Sequence, residues 1–515
     1  MDTCISGDEI TGVVGFTHLY YCSVAYLLPT IVMVAPVVAG GGSASTLPPP
    51  PPPLDFPLKG IELQPCLPDH IHPGKTKITT LSNGIKIASE ASSNPGTSIG
   101  LYVKSGSVYE TPASLGVTRL LEHMAFKSTT NRSHLRLVRE VEAIGGDVTA
   151  CASRDQMGYT CEALKTYVPQ MVELLVDSVR NQAFLDWEVK EQIEKAKAEI
   201  AQHANNPEAL LLEAVHSVGY SGPLANPLLA SQGSLNRINS TLLEDFVAAN
   251  YIAPRMVLAA SGVEHEELLK YAEPLLSDLP GGTQVEEPKS VYVGGDHRVT
   301  ADTGGTSFAL AFELPGGWLK EKKAMTLMVL QMLMGGGRSF SFGGPGKGVY
   351  SRLYLRVLNE YPEIQSFSAF SSIYNHTAIF GIQATTGSDF VSKAIDIAAK
   401  ELIAVATESV VKGSPVPGRS GEVKQRRLII LNVRVVGLHM QLVASEDIGT
   451  QILTFGERRP VEYFLKAIDE VTPEDINSIA KELLSSPLTM ASHGDVRNVP
   501  TYDSVKSMLT ESKED

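Results

Sequence analysis

Arg119-Leu120-Leu121-Glu122-His123 is the stretch on which the reading of this chain turns. Its spacing is that of His-x-x-Glu-His, with arginine standing where the first histidine belongs. On a helix, positions four apart lie ~6 Å apart along the axis and on one face, so two histidines placed this way reach one zinc ion. The glutamate before the second histidine then sits beside the metal as general base toward a bound water. Arginine cannot take the ligand's part, because its guanidinium stays protonated, has no free lone pair and repels a cation. Glu199, on a long helix 76 residues after His123, is the candidate third ligand, with Gln192 about two turns earlier on the same face. The metal set is therefore a degenerate remnant, His123 and Glu199 with Arg119 replacing a ligand, and Glu122 is the remnant of the catalytic base. A plain salt bridge is the competing account, since Arg119 and Glu122 are three apart and Glu199 adds a second carboxylate if it lies near.

Outward from this pentapeptide the texture is mixed α/β. Lys77 to Glu90 reads as a hairpin with Asn83-Gly84 as its turn, and Ser98 to Ser105 as a further strand. The motif helix is expected over Thr111 to Phe126, opened by Pro112, with Val117, Leu120, Leu121 and Met124 on one side. Leu135 to Ile144 is a second helix, ended by Gly145-Gly146 and followed by a hairpin, Asp147 to Ala152 and Gly158 to Ala163. Tyr167 to Arg180 and Glu188 to Asn206 read as long helices, and Met256 to Gly262 as a strand.

The same order recurs downstream. Thr306 to Glu313 matches the strand at Ser98, and Lys323 to Met334 stands where the motif helix stood. Arg352 to Tyr361 repeats the next helix, Ile364 to Ser371 with Thr377 to Ala384 repeats the hairpin, and Leu488 to Gly494 echoes Met256 to Gly262. This is an internal duplication of about 200 residues per copy, with a linker near Gly281 to Gly295. The expected fold is α+β: two homologous α/β modules, each a mixed or antiparallel sheet flanked by helices, joined by a linker and facing a shared cavity. The expected divisions are an N-terminal extension over 1–70, a module with the degenerate motif over 71–285, and a module with a glycine-rich loop over 296–515.

Composition narrows the partners. A chain of 515 residues exceeds one compact core. Its net charge of −14 argues against nucleic acid and favours cationic peptides. Cys4, Cys22, Cys66, Cys151 and Cys161 are odd in number and far apart, which points to a reducing compartment and no disulfide framework. Cys151 and Cys161 flank the hairpin turn and are expected to be ordinary buried thiols. Before Asp55 the chain differs in kind. Val13 to Ala39 is apolar enough to span a bilayer, though Pro29 and Pro36 interrupt it, and Pro48 to Pro53 makes a stiff linker. The acidic flank Asp2, Asp8 and Glu9 does not fit a secretory signal or an arginine-rich presequence, so a membrane anchor, an unusual targeting segment and a misassigned first exon all stay open.

Gly335 to Gly348 holds seven glycines in fourteen residues. It is not a phosphate loop, because Ser341 holds the first required glycine's place and Gly348 follows Lys347. Composition alone gives a surface loop. Its place in the second module, where the motif helix ends in the first, gives a segment able to face a shared cavity. Val410 to Gln441 is less regular than the long helices at the matching place upstream.

Leu121-Glu-His-Met-Ala-Phe-Lys-Ser-Thr129, Val141-Glu-Ala-Ile-Gly-Gly-Asp147, Thr160-Cys-Glu-Ala163 and the distant Glu199 together resemble the pitrilysin family of zinc peptidases, over roughly residues 56 to 515. Leu164-Lys-Thr-Tyr-Val-Pro169, Asp177-Ser-Val-Arg-Asn181, Gly262-Val-Glu-His-Glu-Glu267 and Asp447-Ile-Gly-Thr-Gln-Ile-Leu453 are similar to the family's alpha-type subunits, above all those of plants. The resemblance implies a noncatalytic subunit that binds the cationic presequences of imported mitochondrial precursors. It implies that a beta subunit holds the complete zinc site while this chain binds no cofactor of its own. It further implies a place on the matrix side of the inner mitochondrial membrane and, in plants, among the subunits of respiratory complex III. It makes the glycine-rich loop a substrate-binding element, with Gly335, Gly336, Gly337, Phe340, Phe342, Gly343, Gly344, Gly346, Lys347 and Gly348 as its candidate residues. The alternatives are an independently active zinc endopeptidase and a purely structural core subunit.

Overall fold

Two strand systems organise the chain, and both grow from the patterns in the sequence. The computed structural model describes residues 75–203, 206–282, 287–338, 351–407 and 441–511. The apolar and proline-rich N-terminal stretches, Cys4, Cys22, Cys66 and all of 410–441 but its last residue lie outside the described residues.

In the first module β1 (Lys77–Thr80) and β2 (Lys86–Glu90) form the expected antiparallel hairpin, with Gly84 at φ +98° in its turn. Next come β3 (Gly96–Val103), α1 (Val117–Met124), α2 (His134–Ala143), β4 (Asp147–Ala152) and β5 (Met157–Leu164). After them lie α3 (Val168–Arg180), α4 (Asp186–His203), α5 (Pro207–Gly219), β6 (Tyr220–Ser221), β7 (Met256–Ser261) and α6 (His265–Leu276). The motif helix is shorter than its apolar spacing implied. Gly116 adopts φ +94° immediately before Val117, which turns the chain there and leaves Thr111 and Pro112 outside the helix.

The linker pairs β8 (Val291–Tyr292) with β6, and the second module follows with β9 (Gly295–Thr300), β10 (Thr306–Pro315) and α7 (Glu321–Met334). Then come β11 (Gly336–Arg338), β12 (Ile364–Ile373), β13 (Thr377–Thr386), α8 (Val391–Thr407), α9 (Gln441–Phe455), α10 (Pro473–Ser485), β14 (Thr489–Gly494) and α11 (Tyr502–Glu511). The helix expected over Arg352 to Tyr361 has a π-helical centre, Tyr354–Leu358.

The duplication is visible in the hydrogen bonding. The sheets run β1-β2-β7-β3-β5-β4 and β9-β14-β10-β13-β12-β11. In the first, β2 is parallel to β7 and the pairs β7–β3, β3–β5 and β5–β4 are antiparallel. In the second, β9 is parallel to β14 and the pairs β14–β10, β10–β13 and β13–β12 are antiparallel. Five strands of each sheet thus share one order and one sense.

Each sheet buries one face under its own module's helices. Leu120, Leu121 and Val172 lie in the first core, Leu330, Ile395 and Ile479 in the second. The other face is covered by a helix lent by the opposite module. α5 lies on β14, β10 and β9, where Leu211 and Val215 meet Ala309, Ala311 and Ala491. α9 lies on β3 and β7, where Ile448 and Ile452 meet Ala88, Val257 and Ala259. The alanines let the helices approach closely, and each buried branched side chain contributes roughly 2 kcal/mol. Polar pairs fix the register: Ser98 Oγ lies 2.7 Å from Ser445 Oγ, and Tyr374 Oη 2.8 Å from His216 Nε2. The modules therefore meet at α5 and α9 through both apolar and polar contacts. A cavity of about 360 Å3 lies elsewhere, within the first module between α3, the segment around Arg132 and Leu275.

Candidate functional site

The motif helix begins where two groups leave no alternative. A Cβ on Gly116 would stand 2.5 Å from that of Ala230, and the residue's positive φ already favours glycine. Just upstream, the buried Glu110 carboxylate accepts the Gly116 N–H at 2.9 Å and the Thr118 N–H at 2.7 Å, so it caps α1 from six residues away. Burial pushes this carboxyl up to about 7, against the pull of those two donors. Val117, Leu120, Leu121 and Met124 face the core, which turns Arg119, Glu122 and His123 to the other side.

That side meets α4, whose buried Gln192, Ile193 and Ala196 set the contact and place Glu199 one helical stretch further on. The four residues singled out by spacing come together. Arg119 Nη1 pairs closely with Glu122 Oε2, and Arg119 Nη2 lies 2.9 Å from Glu199 Oε2. His123 Nε2 lies 2.9 Å from that same Glu199 oxygen. The side chains are 15%, 12%, 20% and 35% exposed for Arg119, Glu122, His123 and Glu199, so the cluster is sheltered with Glu199 at its open side. Burial raises the Glu122 carboxyl above its ordinary value although Arg119 pulls it down. Contact with His123 pushes Glu199 down to about 2, with burial opposing and the charge of Arg119 adding.

This donor set does not fit zinc. Structural and catalytic zinc sites use at least three protein donors, and here only His123 and Glu199 are available. The third position carries a guanidinium that already bridges both carboxylates.

The segment after α1 is held by a second hub. Asp177 on α3 accepts from Thr129 Oγ1 at 2.8 Å, Asn131 Nδ2 at 2.6 Å, Arg132 Nη1 at 2.8 Å and Asn181 Nδ2 at 2.7 Å. Burial opposes, yet these donors hold the carboxyl below its usual range. Glu110 and Asp177 were not singled out by sequence reasoning. The only sequence signal for Glu110 is an acid shortly before a helix; Asp177 opens the string Asp177-Ser-Val-Arg-Asn181 that carries the alpha-type resemblance, but nothing in the sequence shows that Asn131 and Asn181 meet it.

The glycine-rich segment splits. Gly335 (φ +55°) and Gly336 (φ +98°) start it, and a Cβ on Gly336 would collide with the Phe367 carbonyl oxygen. Gly336, Gly337 and Arg338 pair with Ser368, Phe367 and Ser366, so its first residues form the edge strand β11. Phe340, Phe342, Gly343, Gly344, Gly346, Lys347 and Gly348 lie outside the described residues. Cys151 lies opposite Gly158 and Cys161 opposite Val148, so the two buried thiols are not cross-strand partners. Burial pushes the Cys161 thiol up to about 12, which removes it from nucleophilic chemistry.

Comparison with known proteins places this geometry. The family described as insulinase, peptidase family M16, matches residues 86–232, and the peptidase M16 inactive domain matches residues 237–412. The chain belongs to peptidase family M16. Within M16 it is 66% identical over 454 residues to the alpha subunit of the mitochondrial processing peptidase of Solanum tuberosum, covering 88% of this chain and 89% of that one. It is 57% identical to a probable alpha-1 subunit of that peptidase from Arabidopsis thaliana, covering 88% of each. The alpha-type, plant-like resemblance read from the sequence is thus borne out. Human cytochrome b-c1 complex subunit 2 is 29% identical, over 84% of this chain and 92% of its own length. A chain of complex III2 from Candida albicans superposes with a TM-score of 0.70 at 19% identity, over 84% of this chain and 99% of that one, which shows a shared fold. These M16 relatives are mitochondrial proteins by name.

Proposed function

We propose that this M16 chain is the noncatalytic, substrate-binding subunit of a mitochondrial processing peptidase. It binds the cationic presequences of imported precursors so that a zinc-bearing beta subunit cleaves them. The observation that carries this reading is Arg119 clasping Glu122 and Glu199, because it leaves the motif helix and its partner in place while removing the means to activate water. The net charge of −14 supports a cationic ligand. The working chamber is formed by residues 71–285 and 296–515 together with the beta subunit, on the matrix side of the inner membrane. The glycine-rich segment Gly335 to Gly348 helps to hold a peptide of variable sequence. Likeness to cytochrome b-c1 subunit 2 supports a second place for the chain as a core subunit of respiratory complex III.

The test is a presequence peptide offered to the full chain alone, to a beta-type partner alone and to the mixture. Binding by the chain without cleavage, and chelator-sensitive cleavage only in the mixture, are expected. Chelator-sensitive cleavage by the chain alone would overturn the reading.

A further inference from the structure

The misfit between this centre and zinc has a definite shape. His123 Nε2 and Glu199 Oε2 are 2.9 Å apart. Two donors on one tetrahedral zinc at about 2.0–2.1 Å stand about 3.3 Å apart, so the surviving pair is within a few tenths of an ångström of metal-binding separation. The atoms have not drifted away with the lost ligand. What holds them is Arg119, which reaches Glu122 with one nitrogen and the same Glu199 oxygen with the other. It performs two jobs otherwise done by a metal: it offsets two sheltered carboxylates, and it ties α1 to α4.

We propose that Arg119 is the resident cation of a latent zinc centre: the scaffold keeps zinc-binding geometry, the guanidinium replaces the ion, and a histidine at position 119 is all that the site lacks. The supporting contacts belong to the fold. Gly116 and the Glu110 cap fix where α1 starts, and Leu120 and Leu121 fix its rotation. Buried Gln192 and Ala196 fix the face of α4. None of these depends on which residue occupies position 119. The inference therefore stands apart from the substrate-binding reading, which can fail without touching it.

The experiment compares the wild-type full chain with Arg119→His, Arg119→Met and the double variant Arg119→His/Glu199→Gln. Bound zinc is measured by elemental analysis, and Tm is measured with added zinc and with chelator. The wild-type chain is expected to carry no stoichiometric zinc and to melt at one temperature in both conditions. Arg119→Met is expected to melt lower in both, since it keeps bulk and loses charge. Arg119→His is expected to melt low in chelator, to regain several degrees with zinc and to hold one zinc per chain, and Glu199→Gln is expected to abolish that gain. If the single variant is not obtained alone, it is assembled with the beta-type partner, where it is expected to add one zinc per heterodimer over wild type. The difference does not depend on how much zinc the partner holds. Arg119→His that takes no zinc in either setting, Arg119→Met with an unchanged Tm, or stoichiometric zinc in the wild-type chain alone would each overturn the proposal.

Discussion

α1 and α7 occupy the same place in the two modules, each following the central strand and preceding the hairpin, yet they have been spent differently. α7 buries Ala324, Met325, Leu327, Met328, Val329, Leu330 and Met334, so most of its circumference is core. α1 buries one stripe and presents Arg119, Glu122 and His123 on the other. The edges differ too. β4 ends the first sheet with no further strand among the described residues, whereas β12 is covered by β11, the start of the glycine-rich segment. One architecture thus supports a polar centre beside a sheet that ends at β4 and an apolar helix beside a sheet extended by one short edge strand. The polar centre is what sheltered charge allows only when each carboxylate has a partner.

The seams between the modules are common to both, and breaking one should have the largest effect. A Cβ on Gly449 of α9 would collide with the Tyr102 ring, so Gly449→Val is expected to cost about 3 kcal/mol by overpacking. Chemical denaturation of the two halves should still show one transition, since each half covers the other. Next is the charge contrast. Arg119→Met leaves Glu122 sheltered without its main cation and is expected to cost about 2–3 kcal/mol. Its counterpart Lys323→Met breaks a more open pair with Glu482 and is expected to cost under about 1 kcal/mol in the same melting assay.

Acid and base should separate the capping carboxylate from the site carboxylate. Glu110 is raised to about 7, so its contribution to stability is fully present below the unfolded value near 4.5 and is lost as pH rises through about 7. Glu110→Gln should flatten that part of the stability profile, by on the order of 2 kcal/mol. Glu199 is depressed to about 2, so its contribution is present above the unfolded value and is lost as pH falls from about 4.5 toward 2. Glu199→Gln should remove acid sensitivity in that window only, read from denaturant midpoints between pH 2 and 5.

Local chemistry makes part of this fold and site legible in the sequence. Asn83-Gly84 sets a hairpin because the turn needs a left-handed residue, and four-residue spacing puts Arg119 and His123 on one face because helices repeat that way. Glu199 is reachable through its spacing on a long helix. The repeat is legible because the strand order it encodes is the same twice. What escapes depends on contacts between distant segments. Apolar stripes on α5 and α9 say that something is covered, not that it is the other module's sheet. Glu110 looks like any surface acid until its burial is known. Gly335 and Gly336 count toward a loop by composition, although Gly335 caps α7 and Gly336 opens β11, both at positive φ.

The lent helices also govern the order in which a chain delivered N-terminus first can finish folding. Sheet one is complete in sequence once Ser261 has emerged, but its outer face, with Ala88, Tyr102, Val257 and Ala259, has no cover until Ile448 and Ile452 arrive. α5 meanwhile waits, apolar side out, for strands that follow it. Neither half can mature in advance of the other, so a nascent chain remains a sticky intermediate until nearly its full length is present, and a holding chaperone should be bound until then.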